Sequence, residues 1–113
     1  IYGREYGCGM TYMSAKAAIM GFTKHLSRQV AQHNVLVNTV APGSIAHPGG
    51  NWQRRLEQEP EAMKEFIARD MPLGRFGRAE ELAAVVTFMV SEKGSYLTGA
   101  AWNVDGGQSR SLI

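Results

Sequence analysis

Apolar residues recur at helical spacing along the first third of the chain. They form one stripe, with charged and amide side chains opposite, and consist of Ala18, Phe22, Leu26 and Val30. This period predicts a helix over residues 11–33, and Asn34 suits a left-handed residue that ends it. The next run, residues 35–40, is short, β-branched and almost continuously apolar. Such a run is typical of a strand buried on both faces of a parallel sheet.

Residues 51–70 combine dense charge with apolar residues at helical spacing, and Pro60 divides them into two pieces. The stretch fits a short helical excursion that covers a binding site as a lid. It fits a solvated helical hairpin equally well, and the pattern alone does not choose between the two.

The last third of the chain alternates again between helix and strand. A turn-rich connector at 71–78 leads into an amphipathic helix over 79–92, and a strand over 101–104 ends in a tight turn at 105–107. Helices that feed short buried strands indicate an α/β fold, whose ligands lie beyond the carboxyl ends of parallel strands. The turn at 42–43 is therefore placed to meet a ligand, although a simple strand terminator explains it equally well.

Composition narrows the classes of function. The 113 residues are enough for one modest domain. A net charge of +2, with Lys and Arg scattered along the chain, gives no basis for nucleic-acid binding. We find no apolar run as long as a membrane span. The single cysteine, Cys8, lies between two glycines without metal-ligand spacing, so we expect no internal disulfide, no metal and a reduced, cytoplasmic setting.

Tyr12 and Lys16 carry the most specific chemistry in the chain. Their spacing places both side chains on one face of a helix, one turn apart. A nearby ammonium favours the phenolate, so we expect a lowered pKa for Tyr12, as general acid catalysis near neutral pH requires. The same spacing also fits a half-buried tyrosine beside a solvated lysine.

Five segments extend this pattern across nearly the whole chain. They are Tyr12-x-x-x-Lys16, Val37-Asn38-x-Val40-Ala41-Pro42-Gly43-x-Ile45, Arg75-x-Gly77-x-x-Glu80-Glu81-Leu82-Ala83, Tyr96-Leu97-Thr98-Gly99 and Val104-Asp105-Gly106-Gly107. In this order and spacing they resemble the C-terminal half of a short-chain dehydrogenase/reductase, closest to the 3-oxoacyl-acyl-carrier-protein reductases. The resemblance implies that residues 1–113 are part of a doubly wound, Rossmann-type domain whose N-terminal cofactor half is absent.

The resemblance also implies roles for individual residues. Tyr12 would be the acid/base for a carbonyl or secondary alcohol, while hydride passes to or from NAD or NADP. Lys16 would assist Tyr12 and bind the nicotinamide ribose. Pro42, Gly43 and Ile45 would present backbone to the carboxamide end of the cofactor.

The loop at 47–70 would be the substrate loop, with Trp52 close to a small-molecule substrate. His47 stands where the family usually has a threonine that contacts the cofactor, so we place it on the substrate side with its role open. The helix over 79–92 and the last strand would form a subunit interface, because the family commonly forms dimers and tetramers.

Several parts of the family pattern fall outside the chain. The catalytic serine and the pyrophosphate-binding glycine-rich turn would precede Ile1, and a start at Ile rather than Met leads us to expect a longer parent protein. Two functions remain open: an enzyme active only as a complete chain, and a truncated, non-catalytic fragment that keeps only the oligomerisation surface. We also expect that half of a doubly wound sheet does not fold alone.

Overall fold

The computed structural model describes residues 8–112, so most of the loop expected at residues 1–10 lies outside the described part. Its helices are α1 (Met10–Val30), α2 (Asn51–Gln58), α3 (Pro60–Asp70) and α4 (Ala79–Val90). Its strands are β1 (Thr39–Pro42), β2 (Ile45–Ala46), β3 (Gly77–Arg78) and β4 (Ala101–Val104). Short 3-10 turns follow α1 and α4, at Ala31–His33 and Glu92–Gly94.

Two parallel strand pairs organise these elements. β1 pairs with β4 in a register that runs from Thr39 opposite Ala101 to Pro42 opposite Val104. β2 pairs with β3 in the same parallel sense. Parallel pairing places the carboxyl ends of β1 and β4 at one edge. The expected fold class is confirmed: the chain is α/β with parallel strands, as in part of a doubly wound domain.

Local signals set several element boundaries where the sequence predicts them. Asn34 is left-handed, with φ of 58°, and ends the 3-10 turn that follows α1. Pro60 separates α2 from α3, and β4 covers the predicted residues 101–104. The helix predicted over 79–92 is shorter than expected: α4 ends at Val90, and a 3-10 turn follows at Glu92–Gly94.

The strand predicted at 35–40 is wrong in its start, since β1 begins only at Thr39. The Asn38 side chain occupies the preceding position: its Nδ2 donates to Leu97 O at 2.8 Å and its Oδ1 accepts from Ala100 N at 3.1 Å. At Asn38 the side-chain amide therefore makes the hydrogen bonds to the segment before β4 that backbone groups would make in a regular strand pair. Regular pairing starts one residue later, where Thr39 N donates to Ala100 O at 2.9 Å.

The C-terminal half of α1 lies against the turn before β4 with two polar side chains, Lys24 and Ser27. A Cβ at Gly99 would lie 2.6 Å from Ser27 Oγ, and Gly99 has φ of +68°, so both the space and the backbone favour glycine there. Lys24 Nζ donates to Gly99 O at 3.2 Å. By contrast, Phe22 of the predicted apolar stripe is 66% exposed, whereas Leu26 and Val30 are half-buried, so the described residues cover that stripe only in part.

The aromatic core lies between the helical hairpin of α2 and α3 and the following connector. Met63, Met71 and Phe76 are buried, and half-buried Trp52 and Phe66 pack against them. The Trp52 ring stacks on Phe66 with centroids 5.1 Å apart and lies 5.2 Å from Phe76. The hairpin is therefore anchored by its inner face and is not wholly solvated, while its role as a lid stays a prediction.

An ion pair holds the start of α4. Arg75 binds Glu81 through both terminal nitrogens, at 2.9 and 2.7 Å, and the Arg78 backbone N–H donates to the same carboxylate at 2.9 Å. The hydrogen bond from Arg75, followed by that from Arg78, lowers the pKa of Glu81 from 4.5 to about 2. Glu81 thus satisfies an N-terminal backbone donor of the helix.

No helix among residues 8–112 combines the length and the apolar character that crossing a bilayer requires.

The lowered pKa of Glu81 predicts a pH-dependent contribution to stability. The folded carboxylate stays ionised down to about pH 2, whereas the unfolded one takes up its proton near pH 4.5, so the stabilisation is complete above pH 4.5 and disappears as the pH falls through 2. In a full-length protein containing this chain, Glu81→Gln should lower the thermal midpoint at pH 7 by more than at pH 3. Glu80→Gln is the matched control, because it removes the same charge from the same helical turn. Equal losses for Glu81→Gln at both pH values would contradict the assignment.

The sparse core predicts that the 113-residue chain does not fold cooperatively alone. The described Cα atoms have a radius of gyration of 15.8 Å, whereas a compact domain of this length has roughly 13 Å. Large apolar side chains, including Phe22 and Val90, are exposed. We expect a broad thermal transition by circular dichroism and binding of a hydrophobic dye. A sharp, cooperative melt of a 12.4 kDa monomer would show that this expectation is wrong.

Candidate active site

The first turns of α1 carry Tyr12 and Lys16 on a common face. Lys16 Nζ lies 5.3 Å from the centroid of the Tyr12 ring, a distance at which an ammonium is attracted to the aromatic face. Tyr12 is 53% exposed. The four-residue spacing thus brings the two groups together as the sequence predicts, with the cation over the ring.

The loop at the carboxyl end of β1 is held closely against the end of β4. Gly43 N donates to Val104 O at 3.1 Å, which continues the parallel pairing by one residue. A Cβ at Gly43 would come within 2.7 Å of both Cα and Cβ of Asp105. Glycine is therefore required here, because the segments around Gly43 and Asp105 approach each other closely. Packing thus accounts for part of the Pro42–Gly43 signal.

A cavity of about 570 Å³ opens beside this loop. Its lining comes from the loop, the hairpin and one face of α4, and consists of Pro42, Gly43, Ile45, His47, Trp52, Ala79, Leu82, Ala83 and Val86. Mostly apolar walls are usual for small-molecule sites of this size. Five of the predicted site residues meet here, whereas Tyr12 and Lys16 do not line the cavity.

His47 is positioned by its own turn. Its Nδ1 donates to Pro48 O at 3.0 Å, because a carbonyl oxygen can only accept. The other ring nitrogen, Nε2, is 2.7 Å from where a Cβ on Gly50 would stand. The ring thus packs over the Gly50 backbone, and in its neutral form Nε2 is the acceptor.

Trp52 reaches the cavity from the aromatic core. Its ring is fixed by Phe66 and Phe76, and the Arg55 guanidinium carbon lies 5.3 Å from its centroid. A side chain with contacts on several sides is pre-oriented and loses little freedom when a ligand binds. The sequence predicts Trp52 near the substrate, and the structure places it in the wall of the cavity.

Two residues near the loop escape prediction from the sequence. Gln108 forms two hydrogen bonds with Ser44, across 64 residues of chain. Neither residue carries a local signal of this partnership, since a serine after glycine and a glutamine after a turn are ordinary surface patterns. Among residues 8–112, no group of three or more potential metal ligands comes together.

Comparison with known protein sequences shows which family the chain matches. Residues 3–109 match the family described as Enoyl-(Acyl carrier protein) reductase. The 3-oxoacyl-[acyl-carrier-protein] reductase FabG of Thermotoga maritima is 41% identical over 108 residues, which cover 95% of this chain and 40% of that protein.

Solved structures agree with the sequence comparison. The NADPH-dependent reductase YwfH, involved in bacilysin biosynthesis, superposes with a TM-score of 0.86 at 33% identity, covering 99% of this chain and 45% of that one. L-sorbose reductase from Gluconobacter frateurii, complexed with NADPH and L-sorbose, gives a TM-score of 0.82 at 31% identity and covers 95% and 43%. The chain thus spans less than half the length of these proteins. Because the family match extends over residues 3–109, the chain belongs to the short-chain dehydrogenase/reductase family and is similar to its 3-oxoacyl-acyl-carrier-protein reductases.

Proposed function

We propose that this chain is the catalytic C-terminal part of an oxidoreductase that uses NAD or NADP to interconvert a carbonyl and a secondary alcohol. The observation that carries the proposal is the contact between Lys16 and Tyr12 on one face of α1, with 5.3 Å between Nζ and the ring centroid. This pair occurs in a chain of the short-chain dehydrogenase/reductase family, and similar solved structures include an NADPH-dependent reductase and a reductase complexed with NADPH.

Tyr12 acts as the acid in reduction and as the base in oxidation. In reduction its hydroxyl gives a proton to the substrate carbonyl oxygen, while the carbonyl carbon receives hydride and becomes the alcohol carbon. The adjacent ammonium of Lys16 favours the negative charge that remains on the phenol oxygen. In oxidation, Tyr12 takes the proton back from the alcohol.

The cavity beside β1 suits the nicotinamide end of the cofactor. Its walls are mostly apolar, its volume is about 570 Å³, and Pro42, Gly43 and Ile45 are part of its lining. This position is the carboxyl end of a parallel strand, where α/β proteins bind nucleotides. A bound cofactor would supply or accept hydride, and these three residues would orient its carboxamide end. Lys16 would bind its ribose.

His47 and Trp52 lie on the substrate side of the same cavity. Trp52 presents a fixed aromatic wall, and His47 contributes a ring nitrogen that can accept a hydrogen bond. The substrate is a small carbonyl compound or alcohol. The names of the relatives indicate acyl thioesters and sugars as the two classes to test first.

Exposed apolar surface supports a second candidate, a non-catalytic fragment that retains an oligomerisation surface. Phe22 on α1 and Val90 at the end of α4 are 66% and 79% exposed. Such surface favours association with further protein, and we propose a dimer or tetramer in the cytoplasm under either candidate.

Replacing Tyr12 with phenylalanine tests the acid/base role. In a polypeptide of the relatives' length that contains these residues, Tyr12→Phe should lower kcat about 10²- to 10⁴-fold, because it removes only the transferable proton. Cofactor affinity, measured by fluorescence titration with NADPH and NADH, should stay close to that of the wild type. Tyr96→Phe is the matched control, since Tyr96 is fully exposed at 100%. Retention of most of kcat in Tyr12→Phe would show that the phenol is not the proton donor.

Cofactor uptake and mass separate the two candidates. The enzyme candidate expects natural material of about the relatives' length that binds NADPH or NADH. The fragment candidate expects material of 12.4 kDa that self-associates and takes up neither cofactor. Intact mass spectrometry of protein purified from its source, combined with cofactor titration, distinguishes them directly.

A further inference from the structure

Ser44 sits at the centre of the loop that follows β1, and all three of its polar groups are paired. It is buried, with 7% of its surface exposed. Its backbone N–H donates to Gln108 Oε1 at 2.8 Å, and its hydroxyl accepts from Gln108 Nε2 at 3.0 Å. Its carbonyl accepts from Gly77 N at 3.0 Å.

These contacts determine the orientation of the Gln108 amide. A backbone N–H can only donate, so the atom that meets Ser44 N must be the amide oxygen, and the amide nitrogen then faces Ser44 Oγ. One side chain therefore holds the backbone and the side chain of Ser44 at the same time. A glutamate can also accept from the Ser44 N–H, whereas an apolar residue of the same length cannot.

The turn that carries Gln108 is itself held in place. The Asp105 carboxylate accepts from Gly107 N and from Ser109 N, both at 2.9 Å, and Gln108 N donates to Asp105 O at 3.1 Å. These bonds form a turn capped by aspartate. The amide of Gln108 thus extends from a fixed base.

The two hydrogen bonds between Gln108 and Ser44, called the clamp from here on, lie where the pairing of β1 with β4 ends. Pairing of β1 with β4 stops at Pro42, and Gly43 adds one last hydrogen bond to Val104. Beyond that point, Gln108 takes over the role of a partner strand for Ser44. Pro42, Gly43 and Ile45 line the cavity, whereas Ser44 does not and lines a separate cavity together with Ile45, so the Gln108 hydrogen bonds hold the loop at a residue outside the cavity.

We propose that Gln108 is a positioning residue that sets the backbone of residues 43–45 for the nicotinamide cofactor, an inference that rests on the proposed function. Gln108 does not line the cofactor cavity, so it acts only through Ser44. A loop held in its binding conformation loses less entropy when the ligand binds. Release of the clamp therefore weakens cofactor affinity and leaves the proton-transfer step at Tyr12 unaltered.

The test compares variants in a polypeptide of the relatives' length, with NADPH and NADH as the titrated ligands. Gln108→Met keeps the length of the side chain and removes both hydrogen bonds, so the dissociation constant of the preferred cofactor should rise about tenfold. The KM for that cofactor should rise in parallel, with kcat at saturating cofactor little changed. Gln32→Met is the matched control, because Gln32 is exposed and bonds only within its own turn, to Gln29 O at 3.4 Å.

A milder variant keeps the test decisive if Gln108→Met does not fold. Ser44→Ala removes one hydroxyl and leaves the backbone bond, so a smaller rise in the dissociation constant is expected. Where both fold, Ser44→Ala should have little further effect in the Gln108→Met background, because the two act through one contact.

Failure of the positioning role and failure of the proposed function give different results. Wild-type cofactor affinity in Gln108→Met and in Ser44→Ala, with or without a lowered melting temperature, overturns the positioning role while turnover still depends on Tyr12. A wild-type protein that binds neither NADPH nor NADH overturns the proposed function, and the role of Gln108 with it.

Discussion

The parallel pairing of β1 with β4 is the constraint on which the rest of this structure depends. It joins segments far apart in the sequence in one register, from Thr39 opposite Ala101 to Pro42 opposite Val104. The pairing brings two chain turns to the same edge, where Gly43 packs directly on Asp105. Without this register, the loop after β1 and the turn after β4 would have no common location.

Packing around the strand pair is divided between two regions of different character. The C-terminal half of α1 is positioned by polar contacts of Lys24 and Ser27 at Gly99. The hairpin of α2 and α3 is instead held by an aromatic cluster around Trp52 and Phe76. Because the described residues bury few large apolar side chains, most of the hydrophobic stabilisation of a complete domain must come from additional protein surface.

The residues of the candidate site are likewise divided between two regions, α1 and the edge of the sheet. The proposed proton-transfer pair, Tyr12 and Lys16, lies on α1 and depends only on local spacing, whereas the proposed cofactor loop requires β1, β4 and the Asp105 turn together. Both Tyr12 and Lys16 are exposed among the described residues. The proposed division assigns proton transfer to one helix and cofactor orientation to the sheet edge.

The sequence by itself determined the features that depend on neighbours a few residues away. Spacing placed Tyr12 beside Lys16, Pro60 divided the hairpin, and Asn34 ended the first helical segment, because each acts through its own backbone angles or through a single helical turn. The order and spacing of the five motifs likewise predicted the family, and the family match over residues 3–109 confirms it.

Only the tertiary structure decided where β1 begins, how α1 packs and which residue holds the loop after β1. Asn38 meets Ala100 across 62 residues, and Ser44 meets Gln108 across 64. Nothing in the local pattern marks either pair, because contacts between distant segments form only after the chain has closed and their partners are set by strand register. The amphipathic stripe of α1 shows the same limit: its period predicts an apolar face, but burial of that face requires a surface that a helical period cannot specify.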